Sequence, residues 1–129
     1  MRSVLYSNLE RASTEKGERN DCGVKAVAIA ADVSYDVAHA ALWVHGRPDN
    51  GATPWPALWA ALRDCGAVAN DITPQRKQWG SVASVVPKLR RNRTYLVCTR
   101  RHILCVKGGQ VHDWTEGRRH RILRVWQVQ

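Results

Sequence analysis

The pattern of apolar and polar positions changes character near residue 93. Before this point, apolar residues recur at the spacing of α-helices. The helical segments are 22–33, 34–45, 53–66 and a shorter one at 81–89. After it, the pattern becomes typical of β-strands. The strand segments are 94–99, 102–107, 110–114 and 122–128. Helices followed by antiparallel strands predict an α+β fold, with N-terminal helices packed on a C-terminal antiparallel β-sheet.

The helical segments carry recognisable start signals. Cys22–Val33 is rich in Ala and nearly uncharged, which predicts a helix that is buried on most sides, and Asn20 and Asp21 before it are N-cap residue types. Ser34 is the expected cap of the second helix, whose predicted apolar stripe is Val37, Ala40, Ala41 and Val44. Thr53 is the expected cap of the third. Residues 1–20 are polar and predict an extended arm or a short strand.

A hairpin signal dominates the strand region. Gly108-Gly109 is a favoured two-residue turn, which would pair Val106 with Val111. Continued along both strands, this register places His102 opposite Thr115 and diagonal to Asp113 on the same face. A loop that is one residue longer or shorter would move Asp113 to the other face.

Length and composition narrow the class of protein. The chain has 129 residues, 44% of them hydrophobic and 24% charged, which predicts one domain over 1–129. Since no apolar run approaches ~18 residues, we expect no membrane span. The first residues lack the apolar stretch of a signal peptide. Four Cys without an export signal predict thiols in a reducing compartment, and hence a cytoplasmic protein.

The net charge of +9 is concentrated towards the C-terminus. Residues 88–124 contain eleven Lys and Arg against Asp113 and Glu116, so the rest of the chain balances to zero. Such a surplus attracts nucleic acid, an acidic protein or acidic substrates, although a basic surface also serves solubility alone. A small basic chain of this kind is compatible with a phage protein that acts in the cytoplasm of its bacterial host.

Three residues could together perform thiol chemistry. Cys22 opens the predicted buried helix, where the helix dipole favours a thiolate, and Gly23 leaves room for a substrate backbone. His102 is the candidate base, and Asp113 is the carboxylate expected to orient it. Trp114 could screen their hydrogen bond from water. Free cysteines are usually buried, so we expect structural roles for the other three, which are Cys65, Cys98 and Cys105.

These residues lie in three short motifs: Asn20-Asp21-Cys22-Gly23-Val24, His102-Ile103-Leu104 and Val111-His112-Asp113-Trp114. Their order and the helix-then-sheet layout resemble the papain-like cysteine peptidase superfamily, in particular its small bacterial and phage members. The resemblance spans about residues 18–115. It implies that Cys22 is the nucleophile, His102 the general base and acid, and Asp113 the orienting group. The implied reaction is hydrolysis of a peptide or isopeptide bond in a peptide or protein substrate through a thioester, without a cofactor.

The oxyanion donor departs from the family pattern. Many members have Gln six residues before the Cys, and here that position is Lys16. Asn20 carries the nearest side-chain amide, with the Cys22 backbone N–H as the second donor. Since loss of one oxyanion donor costs on the order of 10²–10³ in rate, either Asn20 supplies this donor or the enzyme is weak or inactive.

Two alternatives to thiol chemistry follow from the residue types, and only the second is compatible with their spacing. A zinc site would use Cys98, His102, Cys105 and His112, but their spacing matches no zinc motif, so we expect no metal. The second is a non-catalytic binding protein on a papain-like scaffold, whose basic residues 88–124 would hold nucleic acid or an acidic host protein.

Overall fold

A computed structural model describes residues 6–129 of the chain, so the first five residues of the predicted N-terminal arm lie outside the described residues. The chain divides into two compact units: unit 1 ends at Val68, and unit 2 is Ala69–Gln129. Unit 1 is helical and unit 2 contains a five-stranded antiparallel sheet. The predicted α+β class is therefore confirmed. That 1–129 forms one domain with the helices packed on the sheet stays a prediction.

The described residues of unit 1 form four α-helices, which are α1 (Tyr6–Lys16), α2 (Cys22–Ala31), α3 (Tyr35–Val44) and α4 (Trp55–Asp64). The helix α1 corrects the prediction of an extended arm. Its buried residues are Leu9 and Ser13, which are one turn apart, and most of the other residues of the helix are polar. Because so narrow a buried stripe leaves little apolar periodicity, the sequence pattern does not reveal this helix.

The helix α2 begins at Cys22, as predicted, and six of its ten residues are buried. It ends two residues earlier than expected. Asp32 adopts the left-handed conformation (φ 55°), and its N–H donates to the carbonyl groups of Ala28 and Ile29. This left-handed cap stops the helix before Val33.

The caps and buried face of the next two helices differ in part from the prediction. Ser34 caps α3, since its hydroxyl accepts from the Val37 N–H at 3.2 Å. The predicted stripe is wrong, because Val37 and Val44 are exposed, and the buried residues are Tyr35, Ala38 and Leu42. The N-cap position of α4 is occupied by Pro54 rather than by Thr53.

Unit 2 is built around the sheet. Its strands are β1 (Ala69–Asp71), β2 (Thr94–Thr99), β3 (His102–Lys107), β4 (Gln110–His112) and β5 (Arg124–Val128). They lie in the order β1-β5-β2-β3-β4, and every neighbouring pair is antiparallel. The strand β1 and the 3-10 turn Thr73–Gln75 after it are too short to leave a pattern in the sequence. The strands β4 and β5 are each two residues shorter than predicted.

A broken helix precedes the sheet. The helix α5 (Val82–Val85) begins at a capping box formed by Ser81 and Ser84, and a 3-10 turn (Val86–Lys88) that contains Pro87 follows it. The buried core of unit 2 joins this segment to the sheet through side chains such as Val82, Val85, Tyr95, Val97, Leu104 and Val125. Apolar residues from both elements therefore form one cluster.

No single helix within residues 6–129 is both long and apolar enough to cross a membrane, and α2 and α3 reach that length and composition only together, with a bend of 116° between them.

Candidate active site

The clearest candidate site in unit 2 is a histidine–carboxylate pair. His102 begins β3, and its Nε2 atom lies 2.6 Å from Oδ2 of Asp113. The side chains are 14% and 3% exposed, so the hydrogen bond is largely withdrawn from water. A carboxylate at this distance fixes the orientation of an imidazole ring and stabilises its protonated form. The structure thus brings together two of the residues that the sequence singles out.

The hairpin between β3 and β4 places these residues. Gly108 and Gly109 have φ angles of 65° and 75°, which is the pair of left-handed residues that a tight two-residue hairpin turn requires. Val106 pairs with Val111, as predicted. The ladder stops at the pair of Cys105 and His112, so the expected pairing of His102 with Thr115 does not form.

Asp113 lies in a bend after β4, and it still reaches His102. The bend is stabilised by Thr115, whose backbone N–H and hydroxyl donate to the same Oδ2 atom at 3.2 and 2.6 Å. Thr115 is fully buried, with an exposed fraction of 0%. Because a buried carboxylate is unfavourable unless hydrogen-bonded, these contacts explain why Asp113 is stable at this position. Thr115 is a residue of this site that the sequence pattern does not reveal, and only its position two residues after Asp113 could have indicated it.

Aromatic and cationic groups adjoin the histidine. The centre of the Trp114 ring lies 5.4 Å from the centre of the His102 ring. The Trp114 ring also lies 5.8 Å from the His120 ring and 5.6 Å from the Arg118 guanidinium. Trp114 is 54% exposed, so it contacts water as well as the ring of His102. Trp114, which was expected to screen the hydrogen bond between His102 and Asp113 from water, therefore lies beside His102 as a half-exposed side chain.

In unit 1, Cys22 is the first residue of α2 and is partly exposed. Asp21 occupies the N-cap position, but within residues 6–129 its side chain makes no capping hydrogen bond. Its carboxylate accepts from the Tyr35 hydroxyl at 2.7 Å and lies 3.6 Å from the Lys25 ammonium. Burial and then the Asp21 carboxylate raise the pKa of Tyr35, which keeps its hydroxyl protonated as a donor. Asp21 thus ties the start of α2 to α3.

The segment before Cys22 is held by a buried ion pair. Both terminal nitrogens of Arg47 donate to the Glu18 carboxylate at 3.1 Å, and Nη2 also donates to the Asn20 carbonyl at 3.1 Å. The side chains of Arg47 and Glu18 are 1% and 3% exposed. His39 adds a 2.8 Å hydrogen bond to the same carboxylate. Nothing in the local sequence distinguishes Arg47 from a loop arginine on the surface, so its burial is not predictable from the sequence pattern.

Asn20, the predicted oxyanion donor, lies in this segment. Its side-chain amide donates to the Asn50 carbonyl at 3.1 Å, and Asn50 accepts from the Arg19 N–H through its own side chain. Lys16, six residues before Cys22, forms an ion pair with Asp36 at 3.2 Å. The oxyanion role of Asn20 stays a prediction.

Gly23 packs closely against Thr53, whereas the sequence predicts that it leaves room for a substrate backbone. A Cβ atom at this position would lie 2.4 Å from the Thr53 hydroxyl oxygen, so the glycine leaves room for Thr53 rather than for a substrate backbone. That hydroxyl is buried and has no hydrogen-bond partner among the described residues. Thr53 therefore packs against the first turn of α2 instead of capping α4.

The remaining cysteines are in environments that disfavour a thiolate. Burial raises the pKa of the Cys105 thiol to about 12. Burial, followed by the negative charge of Asp64, raises the pKa of Cys65. Cys98 is buried, and its thiol donates to the Thr99 carbonyl at 3.3 Å. His112, another histidine of the same hairpin, bonds to the Lys107 carbonyl at 3.1 Å through Nε2.

A possible metal-ligand set lies elsewhere. Glu18, His39 and Asp49 are close enough for their ligand atoms to lie within 4.8 Å of one another. The Arg47 guanidinium already neutralises Glu18, and its positive charge opposes a cation at this position.

Compared with known proteins, the chain matches no family model, no curated protein and no solved structure.

Proposed function

We propose that the protein is a cysteine hydrolase that cleaves a peptide or isopeptide bond, with Cys22 as nucleophile, His102 as general base and Asp113 as the orienting carboxylate. The observation that carries this proposal is the buried hydrogen bond of 2.6 Å between His102 and Asp113. We also propose a papain-like arrangement, which the helices of unit 1 and the antiparallel sheet of unit 2 support.

The imidazole of His102 is oriented for proton transfer through one particular atom. Since Nε2 bonds to Asp113, the proton of the thiol is taken at Nδ1. The buried carboxylate then stabilises the positive charge that develops on the ring. Thr115 holds the carboxylate in place through two hydrogen bonds. This geometry supports a base whose protonated form is stabilised and whose ring orientation is set by the hydrogen bond to Asp113.

Cys22 is the best nucleophile of the four cysteines on chemical grounds. It lies at the N-terminus of a ten-residue helix, where the dipole favours an anion. Cys65 and Cys105 have raised pKa values, and Cys98 is buried. The proposal requires the Cys22 sulfur to come within hydrogen-bonding distance of the His102 ring.

The reaction follows from these roles. The Cys22 thiolate attacks the carbonyl carbon, and the electron pair of the C=O bond moves to oxygen. Collapse of this intermediate breaks the C–N bond, leaves a thioester on sulfur, and releases an amine that takes the proton from His102. His102 then removes a proton from water, and the water oxygen attacks the thioester carbonyl. Collapse of this second intermediate breaks the C–S bond and frees the acid, and the proton on His102 returns to the Cys22 sulfur. The Cys22 N–H and the Asn20 amide are the proposed donors to the oxyanion.

Alkylation by iodoacetamide at neutral pH, mapped by mass spectrometry, tests the nucleophile. We expect Cys22 to react about tenfold or more faster than the other three thiols. His102→Ala should slow this reaction by about tenfold, since the base that favours the thiolate is lost. His112→Ala is the matched control, because it removes a histidine of the same hairpin that bonds to a backbone carbonyl instead.

Two outcomes would overturn the proposal. One is equally slow alkylation of all four thiols, and the other is an equal effect of the two histidine variants. The substrate class has its own test: fluorescently labelled casein should be cleaved by the wild type and not by Cys22→Ala. If Cys22 is hyperreactive and casein stays intact, the reactive thiol is supported and cleavage of peptide bonds in this substrate is contradicted.

A second candidate function is favoured by the charge of unit 2. This unit contains thirteen Lys and Arg against three Asp and Glu, a net charge of +10. Two of its three acids are engaged, Asp113 by His102 and Asp71 by Arg124. We propose that unit 2 binds an anionic partner, which is compatible with either an active or an inactive hydrolase. Binding that weakens steeply with salt would support this function, and salt-independent binding would contradict it.

A further inference from the structure

Unit 2 contains a pocket of about 270 Å³ that the proposed hydrolase does not use. Tyr95, near the start of β2, lines it, whereas Thr99, at the other end of this strand, pairs with His102. Four residues of extended strand separate the two positions, which corresponds to about 13 Å. The pocket is therefore a separate feature of the unit.

The lining of the pocket is strongly cationic. It includes four basic side chains, which are Arg76, Lys88, Arg90 and Arg93. The amides of Gln75 and Gln127 complete its polar surface, and none of the described residues that line it is acidic. Four like charges around one small cavity repel one another, so an anion that enters it relieves this repulsion. The composition thus selects for a ligand with several negative charges.

Contacts of the side chain or of the main chain position three of the basic residues. The Arg76 guanidinium lies 5.0 Å from the centre of the Trp79 ring, and Trp79 is buried and anchored by a 2.8 Å hydrogen bond to the Thr73 carbonyl. The Tyr95 hydroxyl accepts from the backbone N–H of Arg90 at 3.4 Å. A turn bond from the Arg93 backbone N–H to the Arg90 carbonyl closes the segment that carries both arginines. The Arg76 side chain and the main chain of Arg90 and Arg93 are therefore positioned before any ligand binds.

The pocket favours phosphate groups over bases. Guanidinium groups match the geometry of phosphate oxygens and bind them through paired hydrogen bonds. Both aromatic rings of the lining, Trp79 and Tyr95, are less than a tenth exposed, and Arg76 lies over the face of Trp79. Stacking of a base requires an exposed ring face. We infer that this pocket anchors the phosphate backbone of a nucleic acid without preference for base sequence.

This inference deepens the binding function proposed for unit 2, and it is independent of the hydrolase. The rest of the positive charge of unit 2 would contact neighbouring phosphates along the strand, while the pocket contributes the contacts with the best geometry. The affinity should therefore depend more on the lining arginines than on arginines elsewhere in the unit. Variants that remove equal charge from the pocket and from other positions of unit 2 distinguish the contribution of the pocket from that of the general positive charge.

Fluorescence anisotropy with a labelled oligothymidylate of about 20 nucleotides tests the inference, with the full chain at several salt concentrations. We expect the double variant R76Q/R93Q to bind about tenfold more weakly than the wild type, with a slope of log affinity against log salt that is smaller by about one to two. A second pocket variant, K88Q/R90Q, should behave alike. The control R119Q/R121Q removes the same charge from two exposed positions and should weaken binding less than about threefold.

The outcomes separate the pocket from the general binding function. Equal losses in the pocket and control variants would overturn the pocket and leave diffuse binding by unit 2. Failure of the wild type to bind at low salt would overturn both. A preference of more than about tenfold between oligothymidylate and oligoadenylate would show base recognition and contradict the inference.

Competition experiments identify the source of the phosphate. We expect inorganic phosphate and ATP to displace the oligonucleotide only at concentrations that act through ionic strength. Specific displacement by either would make the pocket a site for small phosphate ligands and overturn the nucleic-acid assignment. Polyglutamate that binds as tightly as the oligonucleotide would show that negative charge alone is recognised, which also contradicts it.

Discussion

Arg47 and Glu18 form a bidentate ion pair in the interior of unit 1, with both N–O distances at 3.1 Å. The pair connects the loop after α3 to the segment before Cys22, since Arg47 also donates to the Asn20 carbonyl. Such a pair stabilises one arrangement of the chain because either partner alone would be a buried, uncompensated charge. The start of α2 is therefore positioned by a residue that lies far from it in sequence.

Removal of one partner of this pair should strongly destabilise the protein. For Arg47→Ala we expect a loss of about 3–5 kcal/mol in the free energy of unfolding, because Glu18 would remain buried without its counter-ion. Urea denaturation followed by circular dichroism measures the change. The control is Asp36→Ala, which breaks an exposed pair with Lys16 and should cost less than about 1 kcal/mol. Similar losses for the two variants would contradict the buried role of Arg47.

The same pair should make unit 1 sensitive to acid. Burial alone would raise the pKa of Glu18, but hydrogen bonds with Arg47 and His39 outweigh burial and hold it below the ordinary value of 4.5. Asp49, near His39, is the other charged group that faces this cluster. Because the folded-state pKa is lowered, the stabilisation is present above about pH 4.5 and is lost as the pH falls through the folded-state pKa.

Urea denaturation at pH 5.5, 4.5 and 3.5 measures this loss. Glu18→Gln should be less stable than the wild type at pH 5.5, and its stability should fall less between pH 4.5 and 3.5. Glu15→Gln, at an exposed position of α1, should retain the pH dependence of the wild type. An unchanged acid dependence in Glu18→Gln would show that other carboxylates cause the loss.

Thr115 should act as a positioning residue for the histidine–carboxylate pair. Its hydroxyl donates to Asp113 at 2.6 Å, so Thr115→Val leaves the buried carboxylate with one fewer donor. We expect a loss of about 1–3 kcal/mol in stability and slower alkylation of Cys22. Thr115→Ser keeps the hydroxyl and should restore the alkylation rate. If serine and valine give the same rate, the hydrogen bond has no role in the reactivity of Cys22.

Gly23→Ala should destabilise unit 1 although alanine is the better helix former by about 1 kcal/mol. The new Cβ would lie 2.4 Å from the Thr53 hydroxyl oxygen and 2.9 Å from its Cβ. We expect a net loss of about 1–3 kcal/mol from this overpacking. Adding Thr53→Gly removes both contacting atoms, so the double variant should be more stable than additivity of the single variants predicts. Strict additivity in urea denaturation would show that the two residues do not interact.

Local signals predicted the elements that carry the candidate site. The glycine pair at 108–109 determines the hairpin turn and its register, because both residues must adopt positive φ. The uncharged run after Asp21 predicts the start of the buried helix at Cys22. Each of these features depends on neighbouring residues, so a pattern along the chain is sufficient to reveal it.

Features that depend on distant residues were not predictable in the same way. The pattern predicts the helical period of α3 correctly, but it predicts the wrong buried face. The buried residues Tyr35, Ala38 and Leu42 have helical spacing, and so does the predicted stripe that includes Val37 and Val44. Arg47 is charged, and its burial follows only from the position of Glu18, 29 residues earlier. Thr115 likewise becomes important only once β4 ends at His112 and the chain bends.

The sequence by itself determined the α+β class and the starts of α2 and β3, since helix period and turn chemistry are local properties. The tertiary structure decided that Asp113 bonds to His102 from a bend rather than from a strand, and that Thr53 packs against Gly23. It also decided that four cations surround one pocket. These relationships depend on how separate segments pack, and no pattern of neighbouring residues encodes that packing.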